Sequence, residues 1–203
     1  MVEYIIFPLG SELIRKRHPA NVRSILFYGP EGTGKTLMVR ACASETKSLV
    51  FDLSPVVTLG QYATKAETEK MVAMVMKAAK AYAPAIIYID ECEKVFPGKK
   101  KKGKGAKKAK KNDMTNPGRI KKAITKWKGK WITDETRITV IGCTSVPLEG
   151  SKKDFKKFFD RSIYFPFPDY TTCRLLWKTF IEQCGGKVNA DFPLHTLAHI
   201  SLG

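Results

Sequence analysis

Five short apolar runs stand out along the chain, and each is bounded by charged residues, glycine or proline. Runs of roughly four to eight apolar residues without alternation are typical of strands that are buried on both faces of a parallel sheet. We therefore predict strands at Ser24–Tyr28, Ser48–Leu53, Ala85–Asp90, Arg137–Cys143 and Arg161–Phe165.

Apolar residues at helical spacing predict helices between these strands. The stretch from Thr64 to Glu67 fits a capping box and begins a helix that reaches about Tyr82. Asn116-Pro117 fits the N-cap and first turn of another helix. The predicted core-facing residues are Met71, Val72, Val75 and Ala79 in the first helix and Ile120, Ala123, Ile124 and Trp127 in the second.

From about residue 168 the pattern becomes purely helical. One helix is predicted from Thr172 to Cys184, ended by Gly185-Gly186, and Leu194–Ile200 begins another. The side chains predicted to face inward on the former are Leu175, Leu176, Thr179 and Phe180. Alternating strands and helices followed by helices alone predict an α/β fold, with a doubly wound parallel five-stranded sheet in residues 1–167 and a smaller helical unit in residues 168–203.

Charge is concentrated in one segment of the 203-residue chain, whose net charge is +17. Residues 99–111 contain nine lysines and no acid, which is about half of the excess positive charge. Like-charge repulsion and the lack of apolar residues predict a disordered lysine-rich insertion over residues 98–115. It is either a solvated loop or a contact for a polyanion, and no aromatic residue interleaves the lysines to stack on nucleic-acid bases.

The five cysteines are odd in number and no pair has C-x-x-C spacing. We interpret them as reduced, mostly buried residues of an intracellular protein. No apolar run approaches the ~20 residues that span a membrane, so no membrane partner is predicted.

The stretch Gly29-Pro30-Glu31-Gly32-Thr33-Gly34-Lys35-Thr36 fits the phosphate-binding loop pattern Gly-x4-Gly-Lys-Thr. A predicted strand precedes it and a helical pattern that starts at Leu37 follows, which is the context that this motif requires. Its backbone N–H groups can surround phosphates, Lys35 can reach the β- and γ-phosphates, and the Thr36 hydroxyl can hold Mg²⁺. Residues 29–37 are therefore predicted to bind a nucleotide; the alternative is a Gly-rich turn that binds nothing.

The apolar run Ala85–Ile89 ends in two acids, Asp90 and Glu91. Acids at the carboxyl end of a parallel strand lie where open α/β sheets bind ligands. We predict that Asp90 holds Mg²⁺ through water and that Glu91 orients the attacking water. A strand followed by an acidic turn without function is the alternative, and the phosphate-binding loop upstream argues against it.

Together these motifs resemble the AAA family of P-loop ATPases. Gly142-Cys143-Thr144-Ser145-Val146-Pro147 is similar to the Gly-Ala-Thr-Asn-Arg-Pro segment of that family and places Ser145 at the catalytic sensor position. Phe159–Arg161 and Phe165–Asp169 resemble the fifth strand and its exit into the helical lid. The resemblance implies a P-loop NTPase fold with an incomplete C-terminal lid in residues 168–203, and ATP or ADP with Mg²⁺ as cofactors.

The departures from the family pattern concern hydrolysis. Two arginines usually precede the Phe-Asp pair and act on the neighbouring subunit, whereas this chain has Lys156 and Lys157 there. A lysine supplies charge but not the planar fork of an arginine. Because the two arginines are absent, ATP hydrolase activity is left open.

The stretch Gly60–Thr64 resembles a pore loop with Tyr62 as its aromatic residue.

A narrower resemblance is to ciliary proteins that combine IQ motifs with an AAA domain, the dynein regulatory complex subunit 11 group. It is carried by residues 22–26, 29–39, 168–170, 176–178 and 185–186. It implies an ATP-binding, mainly architectural module of the axonemal nexin–dynein regulatory complex, in the cytoskeleton of a cilium or flagellum, with its other subunits and tubulin as partners. The alternatives are an active ring-forming remodelling ATPase and a polyanion- or microtubule-binding module that uses the lysine-rich insertion; nucleic acid is not expected as a partner.

Overall fold

A five-stranded parallel sheet organises the chain in the computed structural model, which describes residues 1–17, 22–60, 62, 64–98, 116–133, 135–189 and 192–201. Its strands are β1 (Ser24–Tyr28), β2 (Leu49–Asp52), β3 (Ala85–Ile89), β4 (Ile138–Thr144) and β5 (Arg161–Tyr164), in the spatial order β2-β3-β4-β1-β5. Every paired neighbour runs parallel. The predicted fold class is confirmed, and each predicted strand agrees with the structure to within one residue at either end.

Helices connect and flank the strands. After a π-helical segment at Val2–Ile6, they are α1 (Phe7–Gly10), α2 (Glu12–Arg17), α3 (Lys35–Thr46), α4 (Pro55–Thr58), α5 (Lys65–Ala81), α6 (Cys92–Val95), a 3₁₀ turn at Pro117–Arg119, α7 (Ile120–Trp131), α8 (Lys152–Phe158), α9 (Tyr170–Gln183) and α10 (Leu194–Ser201). No helix among the described residues combines the length and the apolar character needed to cross a membrane.

Alternation along the buried strands divides the core into two layers. On β3, Ile87 and Ile89 belong to the layer that includes side chains of α5, α7 and α8, while Ile86 and Tyr88 belong to the layer that includes α3 and the N-terminal helices. Successive side chains of a strand point to opposite faces, so a strand covered on both sides is apolar throughout. This is why the central strands β1, β3 and β4 were readable as continuous apolar runs.

Two of the predicted helices are confirmed in detail. Thr64 and Glu67 form a capping box at the start of α5, with the Glu67 N–H donating to Thr64 Oγ1 (3.2 Å) and the Thr64 N–H donating to Glu67 Oε2 (3.3 Å). Asn116 caps the turn before α7 through its side chain. The predicted inward positions of both helices are buried or partly buried.

The predicted inward face of α9 is wrong. Leu175, Leu176 and Phe180 are 61%, 38% and 53% exposed, and Thr179 is also exposed. Within this helical unit, α10 lies along a different stripe: the Trp177 indole N–H donates to Ser201 Oγ (2.8 Å). The covered face of a helix depends on where its neighbour packs, which apolar spacing alone does not reveal.

The chain forms two compact units, Met1–Phe165 and Pro166–Gly203. That the second unit is the start of a helical lid remains a prediction. Four cysteines are buried, Cys184 is exposed, and all five are free. The predicted lysine-rich insertion, apart from Gly98, and the residues Gln61 and Ala63 of the predicted pore loop lie outside the described residues.

Candidate nucleotide-binding site

The loop between β1 and α3 is shaped by glycine. A Cβ atom on Gly29 would lie 2.1 Å from the backbone oxygen of Phe165, so no larger residue fits there. Gly34, the N-cap of α3, has φ of 85°, a conformation that costs glycine little. The Thr33 hydroxyl donates to the Pro30 carbonyl (2.9 Å) and holds the loop closed. The loop thereby leads directly into the N-terminus of α3, whose free N–H groups favour an anion.

Lys35 begins α3 and is only 7% exposed. Its ammonium group donates to the carbonyl oxygens of Gly29 (2.8 Å) and Pro30 (2.5 Å). No described carboxylate forms an ion pair with it. A phosphate oxygen is a stronger acceptor than a neutral carbonyl, so Lys35 can exchange these acceptors for a phosphate.

A cavity of about 750 Å³ lies over the loop and the carboxyl ends of three strands. The predicted site residues that line it are Glu31, Gly32, Thr33, Gly34, Lys35, Thr36, Leu37, Asp90, Glu91 and Ser145. Gly29 and Pro30 do not line the cavity; they provide the carbonyls that hold Lys35. The structure therefore brings ten of the twelve predicted residues to one cavity and gives the other two a supporting position.

Asp90 is held by residues that the sequence analysis missed. The Asp90 N–H donates to Ser54 Oγ (2.8 Å), and the Ser54 hydroxyl donates in turn to Asp52. The Glu91 N–H donates to Asp90 Oδ1 (2.9 Å). Asp52 is the last residue of β2, the neighbour of β3, and Ser54 follows two residues later; both also line the cavity. Their place at the end of a predicted strand was the signal that could have identified them.

Tyr88 was also missed. It is 7% exposed, and its phenol oxygen lies 3.2 Å from Thr36 Oγ1, where either group can donate. Burial raises the pKa of the Tyr88 phenol well above its usual value, so the group stays neutral. This contact restricts the rotamer of the Thr36 hydroxyl. Since Tyr88 lies two residues before Asp90 on a strand, the period-2 pattern places both on the same side.

Glu91 has an unusual backbone and an asymmetric carboxylate. Its φ and ψ of 46° and 48° lie in the left-handed region, which costs a non-glycine residue on the order of 1 kcal/mol or more. Oε1 accepts from the Lys94 ammonium at 2.5 Å, whereas Oε2 is buried and has no hydrogen-bond partner among the described residues. A cation thus holds one oxygen of the Glu91 carboxylate, and the other oxygen is shielded from solvent.

The Glu91–Lys94 pair joins residues three apart at the start of α6. The hydrogen bond to Glu91 raises the pKa of Lys94, so this ammonium remains charged. Helical i, i+3 spacing was the sequence signal for this pair. Glu93, by contrast, turns away from the cavity: its Oε2 accepts from the buried Thr144 hydroxyl (2.5 Å).

A known protein family matches the part of the chain that contains this site. The model of the "ATPase family associated with various cellular activities (AAA)" matches residues 25–167, well over half of the chain. The chain belongs to the AAA family. The AAA resemblance predicted from the sequence is thereby confirmed, and with it an ATP-binding P-loop domain.

Two relatives within this family match most of the chain. The AAA domain is 31% identical over 205 aligned residues to mouse Dynein regulatory complex protein 11. This alignment covers 98% of this chain and 23% of that protein. It is 32% identical over 178 residues to Spastin of Naegleria gruberi. This alignment covers 88% of this chain and 32% of that protein. The chain thus spans 23% and 32% of the length of these two relatives.

A solved structure supports the fold. The crystal structure of the FIGL-1 AAA domain in complex with ADP matches with a TM-score of 0.71 and 20% identity, over 98% of this chain and 60% of that one. At this level of identity the likeness concerns the fold.

The residues of this AAA domain fit a magnesium nucleotide. Magnesium prefers oxygen ligands, which Thr36 and Asp90 offer at the cavity wall. The N-terminus of α3 and the buried Lys35 ammonium provide the positive field for phosphates. Bound Mg²⁺ would neutralise phosphate charge. The ligand roles of the individual residues remain predictions.

Proposed function

We propose that this AAA domain holds a magnesium-bound adenine nucleotide as a structural element of the axonemal nexin–dynein regulatory complex and hydrolyses it weakly or not at all. In this role it helps to regulate ciliary motility. The single observation that carries the proposal is the contrast within one cavity. Residues 31–36 of the predicted phosphate-binding loop line the cavity, while the Glu91 carboxylate that would orient water is paired with Lys94.

Two further features support weak hydrolysis. Ser145 lines the cavity at the position where the family pattern has an amide, and a hydroxyl reaches less far toward an attacking water. Lys156 and Lys157 lie exposed on α8 in place of the expected arginines. An arginine supplied to a neighbouring site accelerates phosphoryl transfer by ~10³–10⁵ in proteins where it has been measured.

The proposed partners and location rest on the similarity to Dynein regulatory complex protein 11. They are other subunits of that complex and the tubulin of axonemal microtubules, in a cilium or flagellum. The lysine-rich residues 99–111 are a candidate contact for tubulin, because nine lysines without an acid favour an acidic surface. Replacing these lysines by glutamine should weaken microtubule co-sedimentation; unchanged co-sedimentation would remove this contact from the proposal.

Binding and turnover of ATP should be measured together on the purified protein. We expect Mg·ATP binding that Lys35→Ala weakens by tenfold or more, and turnover that stays near the level of the Glu91→Gln variant. Fast turnover that Glu91→Gln abolishes would contradict the architectural role. Absence of nucleotide binding would contradict the proposal as a whole.

The second candidate is an active ring-forming remodelling ATPase, which the similarity to Spastin favours. Sedimentation with and without Mg·ATP separates the two. ATP-dependent hexamers with Glu91-dependent turnover support the ring, while a nucleotide-bound monomer at micromolar concentration supports the architectural module.

A further inference from the structure

A second cavity, of about 370 Å³, lies between α7 and α8 and shares no lining residue with the nucleotide site. We call it the basic groove. The residues of the basic groove that carry its chemistry are Phe96, Lys121, Lys122, Lys126, Lys157 and Phe158. Among the residues that the structure describes, Asp154 is the only acid that lines it.

Two of the four lysines of the basic groove have no ion pair within the described residues. Lys121 is paired with Asp154 at 2.6 Å, and Lys126 reaches Glu69 only at 3.6 Å while its side chain is 61% exposed. Lys122 and Lys157 are exposed and form no ion pair with any described residue. Like charges at i, i+4, such as Lys122 and Lys126, repel each other and destabilise a helix by a few tenths of a kcal/mol. An anion bound across them relieves that repulsion.

The basic groove already accommodates a carboxylate. Asp154 Oδ2 accepts from the Lys121 ammonium, and this hydrogen bond holds the pKa of the Asp154 carboxyl below its usual value. The pair shows the chemistry that the groove favours: a carboxylate at the wall beside an ammonium group. The lysines that remain unpaired offer the same interaction to an external carboxylate.

The floor of the basic groove argues against nucleic acid. Phe96 and Phe158 are 1% and 2% exposed, with ring centroids 4.9 Å apart. Their rings are packed into the core and cannot stack on bases, so the groove lacks the stacking that proteins which bind single strands combine with a basic groove.

We propose that the basic groove binds an acidic segment of polypeptide, whose glutamate or aspartate carboxylates pair with Lys122, Lys126 and Lys157. Residues at i and i+4 of a helix have Cβ atoms about 6 Å apart. Alternate side chains of an extended peptide are about 7 Å apart, so two of them match Lys122 and Lys126 without distortion. Lys157, across the groove on α8, contacts the same segment from the other side.

The test uses a fluorescein-labelled deca-glutamate peptide and fluorescence anisotropy at low salt. The groove variant is Lys122→Gln/Lys126→Gln/Lys157→Gln. The matched control is Lys65→Gln/Lys70→Gln/Lys77→Gln, which removes the same charge from exposed positions of α5 that do not line the groove. Three exposed ion pairs of ordinary strength predict about tenfold weaker binding in the groove variant and a change of less than about threefold in the control.

One further variant and a check of folding complete the test. Lys122→Arg/Lys126→Arg/Lys157→Arg keeps the charge and should keep the affinity, and nucleotide binding in every variant checks that the domain is folded. Equal losses in the groove variant and its control would overturn the proposal, since only net charge would then matter. Peptide binding that depends only on the lysines of residues 99–111 would also overturn it. The same holds if a ten-nucleotide single strand binds as tightly as the peptide and loses affinity equally in the groove variant.

Discussion

Replacing Lys94 by methionine should increase ATP turnover. The Lys94 ammonium holds Glu91 Oε1 at 2.5 Å, and a carboxylate engaged by a cation is a poorer partner for the attacking water. The Lys94 and Glu91 side chains are 50% and 36% exposed, so solvent screens the pair and its contribution lies in the surface range of about 0.2–1 kcal/mol. If the whole contribution of the ion pair opposes the engagement of water by Glu91, removing the pair corresponds to about 1.5- to 5-fold faster turnover.

The assay is steady-state phosphate release at saturating Mg·ATP, with ATP affinity measured in parallel. Lys16→Met is the matched control, because Lys16 is 46% exposed and also pairs with a glutamate, Glu12, at 2.8 Å. Glu91→Gln added to Lys94→Met should abolish the gain. Turnover in Lys94→Met that is equal to or below that of the parent, with ATP affinity unchanged, would refute the reasoning.

Three other predictions concern stability and reactivity. Phe96→Ala removes a 1% exposed ring from the core and should lower the free energy of unfolding by about 3–5 kcal/mol in urea denaturation; an unchanged midpoint would contradict this. Burial opposes ionisation of Asp160, but the Lys128 ammonium at 3.1 Å and backbone N–H donors hold its pKa below the usual value. The stabilisation that ionised Asp160 contributes is therefore complete above about pH 4 and is lost as the pH falls further. The Asp160→Asn variant should lose stability less steeply than the parent protein at acid pH. An equally steep loss in the variant would contradict this prediction. Iodoacetamide should modify exposed Cys184 in the folded protein, whereas burial raises the pKa of the Cys92 thiol and should protect it until denaturant is added; mass spectrometry of the labelled peptides decides.

Features with local physical causes were predictable. The central strands β1, β3 and β4 are apolar because both faces of the sheet are covered there, and the start of α5 follows from hydrogen bonds within Thr64–Glu67. The predicted phosphate-binding loop was readable because its glycines and Lys35 stand at fixed spacing within eight consecutive residues, between a strand and a helix. The gathering of Asp90, Glu91 and Ser145 at one cavity follows from parallel strands, whose carboxyl ends share an edge.

The α9 error has a different origin. Its leucines and Phe180 are spaced as a core stripe would be, yet the structure places α10 along the stripe that contains Trp177. Both stripes satisfy helical periodicity, and the choice between them depends on the position of a second helix.

The sequence by itself therefore determined the strands, the longer helices, the family and ten of the residues that line the nucleotide cavity, because each depends on neighbours in the chain or on one strand edge. Only the tertiary structure decided how those residues are held. The order β2-β3-β4-β1-β5 brings Ser54 to Asp90, and the packing of α7 beside α8 forms the basic groove from separate segments. Contacts between residues far apart in sequence depend on the topology of the whole sheet, and no local pattern encodes that topology.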